Sequence, residues 1–173
     1  MKIFLTLCLF TLLFYSCKKD NVSNPPLNGC DIQNVYADNA KKVTITRGVW
    51  GTVSLAEGDC MPSIPYNPCR IRHCPVRRTV RIYDYSKADN TVPYNPYGPF
   101  LDSLNTRFVA QVETGENGFF QADIAPGQYS IFMVENGKLY ADNNKRDNQG
   151  GLCPFSFASG TITVNLLLNY VTY

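Results

Sequence analysis

The sequence predicts an all-β fold, a seven-stranded antiparallel sandwich of two sheets, and three observations carry that prediction. From Arg47 onward, apolar residues recur at every second position in short runs, the period of a strand with one face buried. Between the runs stand Gly, Pro and Asn-Gly, the residues that supply turn conformations. No stretch shows convincing helical periodicity. Short strands at close spacing, joined by such turns, argue for two packed antiparallel sheets.

The strands follow in order. In "GVWGTVSL", Val49, Val53 and Leu55 share one face, and Trp50, Thr52 and Ser54 the other. "TVRIYDY" turns Val80 and Ile82 inward and Arg81, Tyr83 and Tyr85 outward. "RFVAQVET" alternates Phe108, Ala110 and Val112 against Val109, Gln111 and Glu113, and the "TGENG" after it reads as a hairpin turn. "FQADI" groups Phe120, Ala122 and Ile124, and Pro126-Gly127 turns the chain again. "QYSIFMVE" is apolar on both faces, the mark of a central strand, so Phe132 is expected to be fully buried. Asn136-Gly137 is a strong two-residue hairpin signal. "GTITVNLLLNY" closes the chain, with Ile162, Val164, Leu166, Leu168 and Tyr170 on one face.

Together "GVWGTV", "VRIYDY", "FVAQVETGENGFFQADIAPGQYSIFMVENGKLYA" and "GTITVNLLLNY" resemble the carboxypeptidase regulatory-like domain, a transthyretin-like (prealbumin-like) sandwich often found in exported bacterial proteins. The resemblance covers residues 47–173 and implies an accessory or interaction module.

The N-terminal end points to export. After Met1-Lys2, residues 3–15 are apolar apart from two threonines, too short for a stable membrane span and the length of a signal-peptide core. Ser16-Cys17 ends that run and resembles the lipobox of bacterial lipoproteins, which implies cleavage before Cys17, a lipid on its thiol and, with Lys18 following, an outer-membrane destination. Residues 1–16 are therefore read as a signal peptide, 17–46 as a lipidated tether and 47–173 as the folded domain. The tether assignment rests on the polar, proline-containing "KKDNVSNPPLNG"; residues 30–46 have no clear period and are read as an edge segment along the domain. With 16 basic and 14 acidic groups, the chain has no electrostatic footprint for nucleic acid. The expected partners are the membrane, through the lipid, and an envelope protein or glycan.

His73 is the only histidine, which sharply limits catalysis. Enzymes with related architectures need more: metallocarboxypeptidases use two histidines and a glutamate on zinc, and hydroxyisourate hydrolases use paired histidines and a C-terminal Tyr-Arg-Gly-Ser. Intradiol dioxygenases hold iron with two histidines and two tyrosines. This chain ends "NYVTY", and no catalytic residue or cofactor is assigned. The loop "GDCMPSIPYNPCRIRHCPVRR" holds Cys60, Cys69, His73 and Cys74, and could be read as a metal set. Its spacing does not match paired C-x2-C knuckles, and Arg70, Arg72, Arg77 and Arg78 oppose a cation. Disulfide bracing is favoured, and no metal is assigned. Five cysteines follow Cys17, an odd number, so at most two bridges form within the chain. The expected set is Cys60, Cys69, Cys74 and Cys153, with Cys30 unpaired. Asp142, Asn144 and Asp147 offer oxygen atoms, but Arg146 and Cys153 stand where a calcium loop needs donors, so a solvated turn is expected. Trp50, Tyr66, Tyr94 and Tyr97 are the candidate ligand contacts, because aromatic faces in rigid proline loops suit sugars or proteins. The functional expectation is a membrane-anchored, non-catalytic binding or scaffolding module of the cell envelope. The alternatives are an accessory hydrolase built around His73 and a metal-handling protein using the cysteine loop.

Overall fold

The computed structural model describes residues 30–66, 68–92, 98–142 and 145–173. Cys17, Tyr94, Tyr97, Asn144, the signal peptide and the first part of the tether lie outside the described residues. The elements run α1 (Ile32–Ala40), β1 (Gly48–Asp59), β2 (Arg70–Pro75), β3 (Thr79–Asp84), a 3-10 turn (Ala88–Asn90) and β4 (Thr91–Val92). There follow β5 (Phe100–Leu101), β6 (Ser103–Leu104), β7 (Phe108–Glu113), β8 (Phe119–Ala122), β9 (Gly127–Glu135) and β10 (Lys138–Tyr140). The last three strands are β11 (Pro154–Phe157), β12 (Thr161–Thr163) and β13 (Leu166–Thr172). Two main sheets face each other across one core, as expected for an all-β sandwich.

The first sheet is organised on β1. Its first half lies between β8, antiparallel, and β12, parallel. Its second half lies between β2, antiparallel, and β13, parallel. The closing segment expected as one strand is thus two, broken at Val164-Asn165, and both pair with β1 in parallel, a departure from a purely antiparallel sandwich. At the break, Asn165 Oδ1 accepts the Thr52 amide at 3.0 Å in place of a strand carbonyl. The Val164 carbonyl comes so near that a Cβ at position 51 would sit 2.0 Å from it, so only glycine fits.

The second sheet runs β5-β10-β9-β3-β7, with β11 beside β10 along the far side of β9. β9 is central, and Tyr129, Ser130, Ile131, Phe132 and Met133 are all buried, Phe132 at 0% exposure, as the two-faced apolar pattern requires. Asn136 and Gly137 turn β9 into β10 with φ of 51° and 78°, the double positive geometry of a tight hairpin. Val80, Ile82, Ile131 and Met133 share one face by register and meet Val49, Val53, Phe120, Leu166 and Leu168 in the common core.

The opposite face of β9 is also covered. Tyr83, expected outward, is buried with its ring edge-on to Phe108 and Phe132 at 5.6 and 6.0 Å, next to the irregularity that interrupts β3–β7 pairing at Ile82/Tyr83. The connection from β3 folds back over this face. The Ser86 amide donates to Ser130 Oγ at 3.0 Å, its hydroxyl lies 2.6 Å from Thr106 Oγ1, and its carbonyl accepts the Leu152 amide at 2.8 Å.

The edge segment contains a helix that its sequence does not announce. Asp31 caps α1 by accepting the Gln33 and Asn34 amides at 3.1 Å each. Asn39 is 0% exposed and its Nδ2 donates to Thr52 Oγ1 and the Asn117 backbone carbonyl, both at 2.9 Å, while its Oδ1 accepts from Asn117 Nδ2 at 2.9 Å. Thr52, on the face of β1 expected outside, is thereby buried. Beyond α1, Thr44 and Arg47 are strapped to Gln121 and Asp123. Residues 30–46 therefore belong to the folded unit, and the boundary drawn after residue 46 moves back to Cys30 or before it. Among the described residues, no helix is long and apolar enough to cross a membrane.

Candidate functional site

Strand β2 and the loop before it hold the predicted cysteines and the only histidine. The two bridges are Cys30–Cys74 and Cys60–Cys69, and Cys153 is free and buried. This corrects the expected set: Cys30 is paired and Cys153 is not. The reason is α1. Once the helix docks on β1, Cys30 comes to β2, with 5.2 Å between the Cα atoms of Cys30 and Cys74. Cys60 and Cys69 close the loop between the antiparallel partners β1 and β2. Cys153 sits at φ 43° in a tight turn, its amide donating to the Lys145 carbonyl and its thiol 3.8 Å from the Asp142 carbonyl. Burial pushes that thiol up to about 11.

The bridges consume the sulfur atoms a metal set would need, since Cys60, Cys69 and Cys74 are disulfides and not thiolates. Among the described residues no cluster of three or more His, Cys, Asp or Glu side chains has a metal-holding arrangement.

His73 lies in β2 opposite Ala56, and its Nε2 is 2.9 Å from Ser54 Oγ. A histidine beside a serine invites a nucleophile reading, but the geometry gives a different role. Ser54 is 0% exposed, and its hydroxyl can donate to the Leu166 carbonyl at 3.3 Å while accepting from the imidazole. No carboxylate among the described residues pairs with His73, so nothing orients the ring as a base. Burial lowers its pKa below the ordinary histidine value, favouring the neutral ring. The pair clasps β2, β1 and β13 together.

The aromatic candidates do not converge. Tyr66 is 84% exposed in the loop 60–69, whereas Trp50 is half-buried in β1, facing Gln121 and Thr163 in register. Nine strand residues separate Trp50 from the loop, a distance of about 30 Å at ~3.3 Å per residue. Two surface depressions, of about 410 Å³ beside Lys87, Asp89 and Gly150 and about 290 Å³ beside Phe100, Glu135 and Lys138, involve neither. The turn considered for calcium is held by its own carboxylate. Asp147 accepts the Gln149 and Gly151 amides at 2.9 and 2.8 Å and the Tyr85 hydroxyl at 2.9 Å. The Gly151 amide holds its pKa below the usual range.

The feature that sequence reasoning missed is the apolar tip of the cysteine loop. Ile64 is fully exposed and Met61 is 52% exposed, on the same loop as Tyr66. Its signal was present as large apolar residues between prolines in a loop closed by two cysteines. Comparison of the chain with protein-family models, curated proteins and solved structures finds no match. The fold thus defines the class, an all-β two-sheet sandwich with two disulfides.

Proposed function

We propose that this chain is a lipid-anchored β-sandwich module of the cell envelope, on the outer membrane, that binds or scaffolds without turning over substrate. The observation that carries the reading is the disulfide pair: four of the five cysteines after Cys17 are bridged. Such bridges form and persist in oxidising compartments outside the cytosol. The apolar run ending at Cys17 supplies the route and the anchor. The absence of turnover is supported by the environment of His73, whose neighbour Ser54 is inaccessible and which has no carboxylate partner among the described residues. The resemblance to the carboxypeptidase regulatory-like domain points the same way, towards an accessory module whose partner is an envelope protein or glycan.

The test is metabolic labelling with a fatty-acid probe. Wild-type protein should take up the label and fractionate with membranes, and Cys17→Ser should lose the label. Equal labelling and equal fractionation of the two forms would overturn the anchor.

A further inference from the structure

The exposed apolar surface of this protein is concentrated at one place. Of seven large apolar side chains exposed among the described residues, Met61, Ile64, Tyr66 and Ile71 fall within eleven consecutive positions. Soluble surfaces normally scatter such residues singly. The loop carrying the first three is braced. Cys60–Cys69 closes it, the Cys60 amide donates to the Thr172 carbonyl at 2.8 Å, and Asp59 accepts the Met61 amide at 2.9 Å. Pro62, Pro65 and Pro68 restrict the backbone further. Ile64 is held out in water by a built scaffold, at a standing cost in apolar hydration.

Two neighbours indicate what meets it. Arg70 and Arg72 follow the loop directly and are exposed; Arg72 holds Glu57 at 3.0 Å and Arg70 lies opposite Asp59 in register, so the apolar tip stands on a band of mixed charge that carries guanidinium donors. Cys74, on the same strand, is the point at which Cys30 ties the N-terminal segment to the domain. Thirteen peptide steps from Cys17 to Cys30 reach at most about 45 Å, whereas Arg70 to Cys74 spans only about 13 Å along a strand. A surface holding the lipid on Cys17 is therefore within reach of the loop tip. The three side chains together present on the order of 400 Å² of contact, about half of one side of a stable protein interface. A lipid surface needs no shape match, and apolar side chains flanked by cations suit its headgroup boundary.

We propose that Met61, Ile64 and Tyr66 form an interfacial membrane anchor that dips into an anionic phospholipid surface, with the exposed Arg70 guanidinium against the headgroup phosphates and Arg72 held beside it by Glu57. The proposal rests on the lipid-anchor reading above. Its role is orientation: a lipid on a tether leaves the domain free to tumble, and a second contact fixes which face looks outward.

The test is full-length chain carrying benzoyl-phenylalanine in place of Ile64, irradiated in isolated membranes, with the same group at exposed Ser156 of β11 as control. Lipid adducts should form at position 64 and be scarce at 156. Protein adducts at 64, or equal lipid labelling at both positions, would overturn the proposal. In a second arm, Cys17→Ser protein is mixed with phosphatidylglycerol vesicles. Adding Ile64→Ser and Tyr66→Ser should weaken sedimentation with them by about tenfold or more while leaving thermal unfolding unchanged. Unaltered vesicle binding would also sink the idea. Fatty-acid label on Cys17 without lipid adducts at 64 removes the loop anchor alone; adducts without the label remove the lipid-anchor reading alone.

Discussion

Asn39→Ala tests the claim that a buried polar network ties α1 to the sandwich. Alanine is the best helix former, so the substitution favours α1 locally and any loss must come from elsewhere. The Asn39 side chain is 0% exposed and makes contacts of 2.9 Å to Thr52 Oγ1, the Asn117 carbonyl and Asn117 Nδ2, with Lys42 Nζ at 3.0 Å. Truncation strands the Thr52 hydroxyl at 0% exposure, while half-buried Asn117 and exposed Lys42 can turn to water. One orphaned buried group costs about 1–3 kcal/mol and the lost net hydrogen bonds add about 1, so roughly 2–4 kcal/mol is expected. Urea melts followed by circular dichroism provide the measurement. The double variant Asn39→Ala/Thr52→Val removes the orphan with its partner, and should recover part of the loss. A change below about 0.5 kcal/mol in the single variant would refute the network as the tie between α1 and the sandwich.

The disulfide map predicts that a non-reducing digest yields Cys30–Cys74 and Cys60–Cys69 peptides, and that iodoacetamide modifies Cys153 only after denaturation, since its buried thiol is pushed up to about 11. Any bridge to Cys153 by mass spectrometry would contradict the map. His73 predicts a pH dependence: burial lowers its pKa, so the folded state binds that proton less readily than the unfolded chain. Its contribution is fully present above the unfolded value of about 6.5 and is lost as pH falls through the folded one, so urea stability should drop on acidification more steeply than in His73→Gln. Equal slopes would show that the ring is free to charge.

The sandwich was legible where apolar period and turn chemistry agreed. β9 with its two apolar faces and the Asn136-Gly137 turn are local signals whose meaning does not depend on the rest of the chain. α1 was not legible because the apolar stripe of "IQNVYADNA" is only Ile32, Val35 and Tyr36, all half-buried, and its one fully buried position is polar; Asp31 caps one end and Asn39 reaches residues 13 and 78 positions away. The cysteine pairing failed for the same reason, since Cys30 reaches Cys74 only through that docked helix. Tyr83 and Thr52 alternate as outward residues and are buried by segments distant in sequence. The site was half legible. Four of the five cysteines form bridges, as their odd number allows, and apolar residues between prolines mark the loop, but that pattern does not say that Ile64 is the most exposed of the large apolar side chains.

The parallel pairing of β1 with β13 sets an order of events in the making of this protein. Val53 lies beside Leu166 and Asp59 beside Thr172, so half of the first sheet's central strand waits for residues made more than a hundred positions later. A chain emerging from a ribosome, N-terminus first, cannot finish that sheet until residues 166–172 are released. The second sheet, whose strands end at Phe157, is complete in sequence before the first can close. Loss of residues 166–172 would not merely trim the molecule; it would leave Val53–Asp59 of β1 as an open edge.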